Sequence, residues 1–441
     1  MSFTRTLRAV GGAVVAGALL FGAAPTASAD QIRDLQWPLG PKSFKAEDIW
    51  KVSTGQGVTV AVIDAPINGS HPDLTGNVLP GKSFIDGQQA DHSDGTDDHG
   101  TAMAAIIAAH GHGPGNADGV KGLAPDARIL PIAYPESGSG VGLEGPIRYA
   151  VDHHATVINL SIAAASLSEA EKEALAYAVK KDVLVVAGSG NDGANELSAI
   201  ATAPGIVAVG AVDKAGQVWE KSNSGSQLML TAPGVKIASA TASNSEPYRE
   251  GTGTSDSTAY VSAAAALLRS KFPDLTAGQI VNRLVKTAGL PPSKAGLTLP
   301  DPHYGYGFIR PLRALTQDIP AGSKNGPLKM PQADPSATAS GASSAGASGD
   351  QATGQKSSGI KPMLLVGVGV GVLVVIGIIV LVVVRQKKNG RNGPPTGGFG
   401  GPGGPGGPAG PGFPQQPANP YQQQPNGPGA FPPPPNQYPG Q

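Results

Sequence analysis

Ser255 stands in Gly253-Thr254-Ser255, just ahead of an alanine-rich run over residues 259–268. The pattern predicts a helix that begins beside the serine. There, its backbone N–H has no helical acceptor and is free to donate to a developing oxyanion, and the helix dipole favours negative charge at that end. Gly253 is expected to let the chain turn sharply into the helix. Serine is a poor nucleophile at neutral pH, so it needs a base, and the base needs an orienting acid. His99, in His99-Gly100-Thr101, is a candidate base. Asp64, which ends the run Val60-Ala61-Val62-Ile63-Asp64, is a candidate acid. Asn191, in Gly190-Asn191-Asp192-Gly193, could aim its amide at an oxyanion. Each has a plainer reading as well. An Asp after a strand makes turns or caps helices, a single His packs in a core or on a surface, and an Asn among glycines adopts a left-handed turn.

These side chains sit at the ends of recognisable elements. Residues 57–63 form a near-continuous β-branched run bounded by glycine, as expected for a strand buried on both faces of a parallel sheet. Asp64 would stand at its C-terminal edge, where open parallel sheets build sites. Further strands are expected at 128–133, 156–161, 183–187, 206–212 and 228–232. Helices are expected at 102–109 and 143–153, from a Ser166/Glu169 capping box to about residue 181, and at 276–288. Strands alternating with helices in this rhythm give an α/β domain, with a mostly parallel sheet covered by helices on both faces.

Other chemistries find less support. The chain has no cysteine, which excludes thiol catalysis and thiolate metal sites. Its formal net charge is zero, which gives no reason to expect nucleic acid as a partner. His71, His92, His110, His112, His153, His154 and His303 read as core or surface residues; His110 and His112 hint at a metal but have no third ligand of suitable spacing. The loop over 84–98 carries Asp86, Asp91, Asp94, Asp97 and Asp98, and its spacing matches no defined calcium loop. The expectation is therefore no cofactor and no metal, with structural calcium left open.

The 441 residues divide into five parts. Residues 1–29 read as a secretory signal, with Arg5 and Arg8, an apolar stretch and Ala27-Ser28-Ala29 as the cleavage site. Residues 30–317 form the folded domain, whose lead-in over 30–52 is too short to be a chaperoning pro-segment. A Ser/Ala/Gly/Pro stalk follows at 318–361. Residues 362–385 contain an uncharged core, 364–384, long enough as a helix to cross about 30 Å of hydrocarbon. Arg385, Lys387, Lys388 and Arg391 follow it, which orients the C-terminus to the cytoplasm and the folded domain outside. Residues 386–441 form a Pro/Gly/Gln-rich tail expected to be disordered.

The three contexts come in the order Asp, His, Ser. Asp64 is followed by His71-Pro72-Asp73-Leu74, and His99-Gly100-Thr101 and Gly253-Thr254-Ser255 come after. With those flanks the chain resembles the subtilisin-like serine proteases over about residues 37–315. The resemblance implies a subtilisin-like fold and a serine endopeptidase that works through an acyl-enzyme. It implies Ser255 as nucleophile, His99 as general base and acid, Asp64 as orienting acid, and Asn191 as oxyanion donor. Asn159-Leu160-Ser161 is similar to the segment that pairs with substrate backbone, so Ser161, Ile162 and Ala163, with Gly188, Ser189 and Gly190, are expected to bind substrate. The layout of signal, protease, stalk and one membrane helix resembles the membrane-anchored mycosins of actinobacterial type VII secretion. That implies a protein or peptide substrate and a secretion-complex partner.

The sequence departs from the family pattern in places. Ala65-Pro66 follows Asp64 where Thr-Gly is usual, and Asp256-Ser257-Thr258-Ala259-Tyr260 follows Ser255 where Met-Ala-Thr-Pro-His is usual. Ala163 stands where a glycine is common. These departures leave a second expectation: a weakly active or inactive domain that serves a secretion complex as a structural component.

Overall fold

The computed structural model describes residues 32–135, 140–243 and 245–331. The signal, the membrane span and the tail expected from the sequence lie outside these residues. Among the described residues no helix is long and apolar enough to cross a membrane.

Eleven strands are present among the described residues. They are β1 (Thr59–Asp64), β2 (Lys82–Ser83), β3 (His110–His112), β4 (Asp118–Lys121), β5 (Arg128–Ala133), β6 (Val157–Leu160), β7 (Leu184–Gly188), β8 (Ile206–Val212), β9 (Leu230–Pro233), β10 (Ile237–Ala240) and β11 (Tyr248–Gly251). Seven of them form one sheet in the order β2-β5-β1-β6-β7-β8-β9, and every pairing in it is parallel. The remaining four form two antiparallel ribbons, β3/β4 and β10/β11. The ribbons were not expected from the sequence, because β3, β4 and β11 are rich in Gly and polar residues and β10 is only four residues long.

The parallel strands read as unbroken apolar runs because both faces are covered. Val60 and Val62 pack into one core with the His99 helix (His99–Ala108) and the Ser255 helix (Thr254–Lys271). Ala61 and Ile63, pointing the other way, pack with the helices Glu144–Asp152 and Glu169–Lys180. The period of two along one strand therefore assigns its side chains to two separate cores. The Ser255 helix is buried along most of its length. Its alanines let it run through the core at close range to the sheet, where larger side chains would hold it off.

The helix at Glu169–Lys180 begins two residues later than the Ser166 cap implied. Ser168 accepts from the Glu171 N–H and Glu171 bonds back, which makes the capping box Ser168/Glu171. Both Ser-x-x-Glu pairs satisfy the pattern, and the chain uses the second. The capped helix at the other position is found as expected, at Ala277–Thr287 with Thr276 and Gln279.

The lead-in and the far end both pack on this body. The Arg33 guanidinium donates to the carbonyls of Asn116, Asp118 and Gly119, and the Trp37 indole donates to Val235 and Lys236. The stalk was expected to begin at Asp318. Instead, the Ile319 carbonyl accepts from Arg283, the Lys324 carbonyl accepts from the Thr276 hydroxyl, and Leu328 is buried. The packed chain therefore continues beyond residue 317.

Candidate active site

Asp64 is the last residue of β1, and Ser161 follows the last residue of β6, the strand beside it. From β1 the strand order runs to β5 on one side and to β6 on the other, so both residues emerge where the order reverses. Ligand sites in open α/β sheets form at such a point. His99 opens its helix, and Gly100 explains how close it comes. A Cβ on Gly100 would lie 2.1 Å from the Ala65 carbonyl oxygen, so only glycine lets the helix end press against the residue after Asp64.

The result is a short contact. His99 Nδ1 lies 2.7 Å from Asp64 Oδ1, and the same oxygen accepts from the Ala65 N–H at 2.8 Å. Asp64 is buried, while the His99 side chain keeps 32% exposure and can reach a substrate. The Asp64 carboxylate pushes the His99 imidazole up to about 9, against the opposing effect of burial. The carboxylate therefore holds a proton on Nδ1, and Nε2 gains its proton as the pH falls through that value.

Ser255 is the second residue of its helix, after Gly253 and Thr254. Its hydroxyl donates to the Ser161 carbonyl at 3.2 Å and not to His99. In return the Ser161 hydroxyl donates to the Ser255 carbonyl at 3.1 Å. Asn159 holds Ser161 in place, donating to its Oγ at 2.9 Å, and accepts from Ser262 further along the helix. Ser161 was expected only as a substrate contact; here its side chain anchors the Ser255 backbone.

Asn191 is fixed in orientation. Its Oδ1 accepts from both the backbone N–H and the hydroxyl of Thr254, each at 2.9 Å. An N–H can only donate, so the amide oxygen must face it and the NH2 group points away. Gly253 then shows a different reason for being glycine. Its backbone is extended (φ 178°), so no sharp turn requires it. A Cβ there would sit 3.7 Å from Asn191 Nδ2 and 3.7 Å from the Ser255 nitrogen. The missing methyl leaves that space open beside both nitrogens.

The loop holding Asn191 depends on a residue the sequence did not single out. Asn223 Oδ1 accepts from the N–H groups of Asp192 and Ala194, and a Cβ on Gly190 (φ 115°) would meet its amide at 2.3 Å. Of the expected substrate segments, Ile162 and Ala163 lie at the accessible edge. Gly188, Ser189 and Gly190 are buried; the Ser189 N–H and carbonyl bond Val209 and Ser198, so its backbone is fully used within the fold. A cavity of about 700 Å³ floored by Trp37, Phe44, Phe308 and Pro311 contains none of the candidate residues.

Three carboxylates of the acidic loop accept hydrogen bonds within the fold. Asp97 accepts from the His99 N–H, Asp98 from the Ala242 N–H and Asp94 from Thr96. Among the described residues no three His, Asp or Glu side chains converge as a metal centre.

Asp256 was noted only as a departure from a pattern. It is buried beside Ser255, and its Oδ1 has no hydrogen-bond partner. Burial pushes its carboxyl up to about 6, while Arg249 and His99 pull the other way.

Residues 55–307 match the profile of the Subtilase family. The chain belongs to the subtilase family. It is 37% identical over 256 residues to a thermophilic serine proteinase of Bacillus sp. strain AK1, with 57% of this chain and 62% of that protein covered. It therefore spans less than two thirds of that relative's length. It is 33% identical over 350 residues to Mycosin-1 of Mycolicibacterium smegmatis, covering 66% of this chain and 75% of the relative. The fold is also similar to the crystal structure of MycP1 from the ESX-1 type VII secretion system. That comparison has a TM-score of 0.57 and 29% identity, and covers 70% of this chain and 91% of the other.

Proposed function

We propose that this subtilase domain is a serine endopeptidase in which Ser255, His99 and Asp64 form the relay. In this reading Ser255 Oγ attacks the scissile carbonyl carbon while His99 Nε2 takes its proton. Asp64 keeps the other proton on Nδ1 and stabilises the imidazolium. Asn191 Nδ2 and the Ser255 N–H hold the oxyanion of the tetrahedral intermediate. His99 then returns the proton to the leaving amine, and water hydrolyses the acyl-enzyme by the same steps. Before attack the Ser255 hydroxyl must rotate about χ1 from the Ser161 carbonyl towards His99. Ser161, Ile162 and Ala163 would receive the substrate backbone.

The observation that carries this reading is the 2.7 Å contact between His99 and Asp64, made at the strand edge from which Ser161 also emerges. A serine-directed fluorophosphonate applied to the full chain tests it. Ser255 should be labelled, and Ser255→Ala should abolish the label; an unlabelled Ser255 in folded protein refutes the reading.

We further propose that the domain faces outside the cell, anchored by the span at 362–385, and works with a type VII secretion complex. The cationic cluster after the span and the similarity to Mycosin-1 and MycP1 support this. A second reading, a scaffold with little activity, draws on Asp256 beside the nucleophile and on the Ser255 hydroxyl bonded to Ser161. Complementation of a deletion separates the two: full rescue of secretion by Ser255→Ala supports the scaffold, and failure supports the protease.

A further inference from the structure

Asp256 presents a problem that the relay does not solve. It lies one residue after Ser255 in the first turn of the helix and is 3% exposed. A buried carboxylate is normally paired, because leaving water is costly and only hydrogen bonds or an opposite charge offset the cost. Here the pairing is incomplete. Asp256 Oδ1 accepts no hydrogen bond, and neither Arg249 Nε nor the Tyr260 hydroxyl has a partner, although all three atoms are buried. Tyr260 lies one helical turn beyond Asp256 on the same face. Arg249 comes from β11, where Gly251 leaves room. A Cβ at Gly251 would stand 3.3 Å from Asp256 Oδ1 and 3.4 Å from Arg249 Nη2. The two charges thus face each other across a glycine without closing an ion pair within 4.0 Å among the salt bridges formed.

The carboxylate also lies close to the reaction centre. Its Oδ2 would be 3.6 Å from a Cβ on Gly253, the same position that faces Asn191 Nδ2 and the Ser255 nitrogen. The charged groups that bear on His99 are Asp64 from β1, Asp256 from the Ser255 helix and Arg249 from β11. The two acids favour the imidazolium and Arg249 opposes it. The groups that bear on Asp256 are Arg249, His99 and, in the same core, Tyr260.

We infer that Asp256 is a positioning residue for the reaction: a second buried carboxylate, behind the nucleophile, that stabilises the protonated form of His99, with Arg249 as the counter-charge that limits it. This inference rests on the reading of His99 as the general base. Its geometry accounts for the open ion pair. A closed Asp256–Arg249 bridge would cancel the field at His99, whereas a carboxylate left short of its partner projects charge towards the imidazole. A low-dielectric site transmits that field with little screening. Tyr260, whose hydroxyl burial keeps neutral, adds bulk and a dipole but no charge.

The test is a titration of the His99 ring by NMR in the full chain carrying Ser255→Ala, so that no self-cleavage intrudes. Asp256→Asn keeps the shape and removes the charge. It should lower the His99 pKa by about half a unit to one unit, below the one to three units an unopposed neighbouring charge produces. Arg249→Met should move it the opposite way, and the double variant should return close to the parent. In the active chain, the acid limb of kcat/KM should move to lower pH by the same amount in Asp256→Asn. A His99 titration unchanged within about 0.2 units in both single variants would overturn the inference, as would single-variant shifts of the same sign. The NMR reading does not need turnover. If the chain with Ser255 intact fails to react with fluorophosphonate while His99 still shifts in the Ser255→Ala background, the proposed function falls and the electrostatic coupling stands.

Discussion

Among the described residues two His–Asp pairs lie at hydrogen-bond distance, and their settings differ. His99 Nδ1 lies 2.7 Å from Asp64, and His112 Nδ1 lies 2.6 Å from Asp73. Both carboxylates are buried, and both imidazoles are about one third exposed, at 32% and 37%. Contact and exposure therefore do not distinguish them. Their surroundings do. Asp73 gives its other oxygen to the Val120 N–H, and its neighbour His71 is packed beneath it. A Cβ on Gly119 would collide with the Asp73 carboxylate at 2.1 Å, so the β3/β4 ribbon folds directly onto it. That pair fastens a ribbon. Asp64 ends a central strand, its Oδ2 has no partner, and the His99 helix packs on the helix that begins beside Ser255. A His–Asp contact is thus a local device, and the third element brought to it decides what it does.

Breaking the two histidines should give the largest contrast. His99→Ala, or Ser255→Ala, should lower kcat by about 10⁶-fold, the scale of losing one member of such a relay. His112→Ala should leave kcat on a peptide substrate within about threefold, because only the fastening of the ribbon is touched. Comparable losses at the two positions would show that the site has been assigned to the wrong pair.

The two aspartates should separate next. Asp64→Asn presents an amide to the imidazole and favours the wrong tautomer, which should cost about 10⁴-fold in kcat with the fold intact. Asp73→Ala should act on stability instead. It strands the Val120 N–H and His112, at a cost of about 1–3 kcal/mol, and should lower Tm while active protein retains its rate. A thermal melt beside a progress curve for each variant reads both.

A smaller loss is expected where the relay meets its donors. Asn191→Ala should slow kcat by about 10²–10³-fold. Gly253→Ala should cause a loss of similar order, because the methyl would stand 3.7 Å from both proposed oxyanion donors while the extended backbone tolerates it. If Gly253→Ala turns over normally, the oxyanion is held elsewhere.

The same contrast shows what could be read from the chain. Strands buried on both faces were legible as apolar runs, and β5 and β8 fall on the expected residues, 128–133 and 206–212. Their burial comes from composition that no turn or polar face interrupts. The members of the proposed site could be picked out one by one, and their proposed grouping came from the order and flanks of three motifs. Asn223 and Arg249 were not legible. Each meets its partner through the fold, from a loop or from a short, half-exposed ribbon strand with no periodic signal. The reason for Gly253 was misread because a glycine in sequence does not say whether its backbone or its missing Cβ matters. The Ser166 cap slipped to Ser168 because two overlapping pairs fit the same pattern.

The smallest effect concerns Asp256, the carboxylate that lacks what both Asp64 and Asp73 possess, a histidine at hydrogen-bond distance. Its folded pKa of about 6 stands above the ordinary 3.8, so the native state holds a proton that the unfolded chain releases. Stability then falls as pH rises between those values, because the unfolded state binds fewer protons. The cost is absent below about pH 4 and complete above about pH 6, and two units correspond to about 3 kcal/mol at most. Asp256→Asn removes the charge and with it the penalty. It should therefore raise Tm by a few degrees at pH 8 and leave it unchanged at pH 4, a difference that calorimetry at the two pH values resolves. Asp73→Asn should do the reverse at pH 8, since that carboxylate is satisfied by Val120 and His112. If Asp256→Asn lowers Tm at pH 8, the carboxylate is paired in solution, and the strain placed beside Ser255 does not exist.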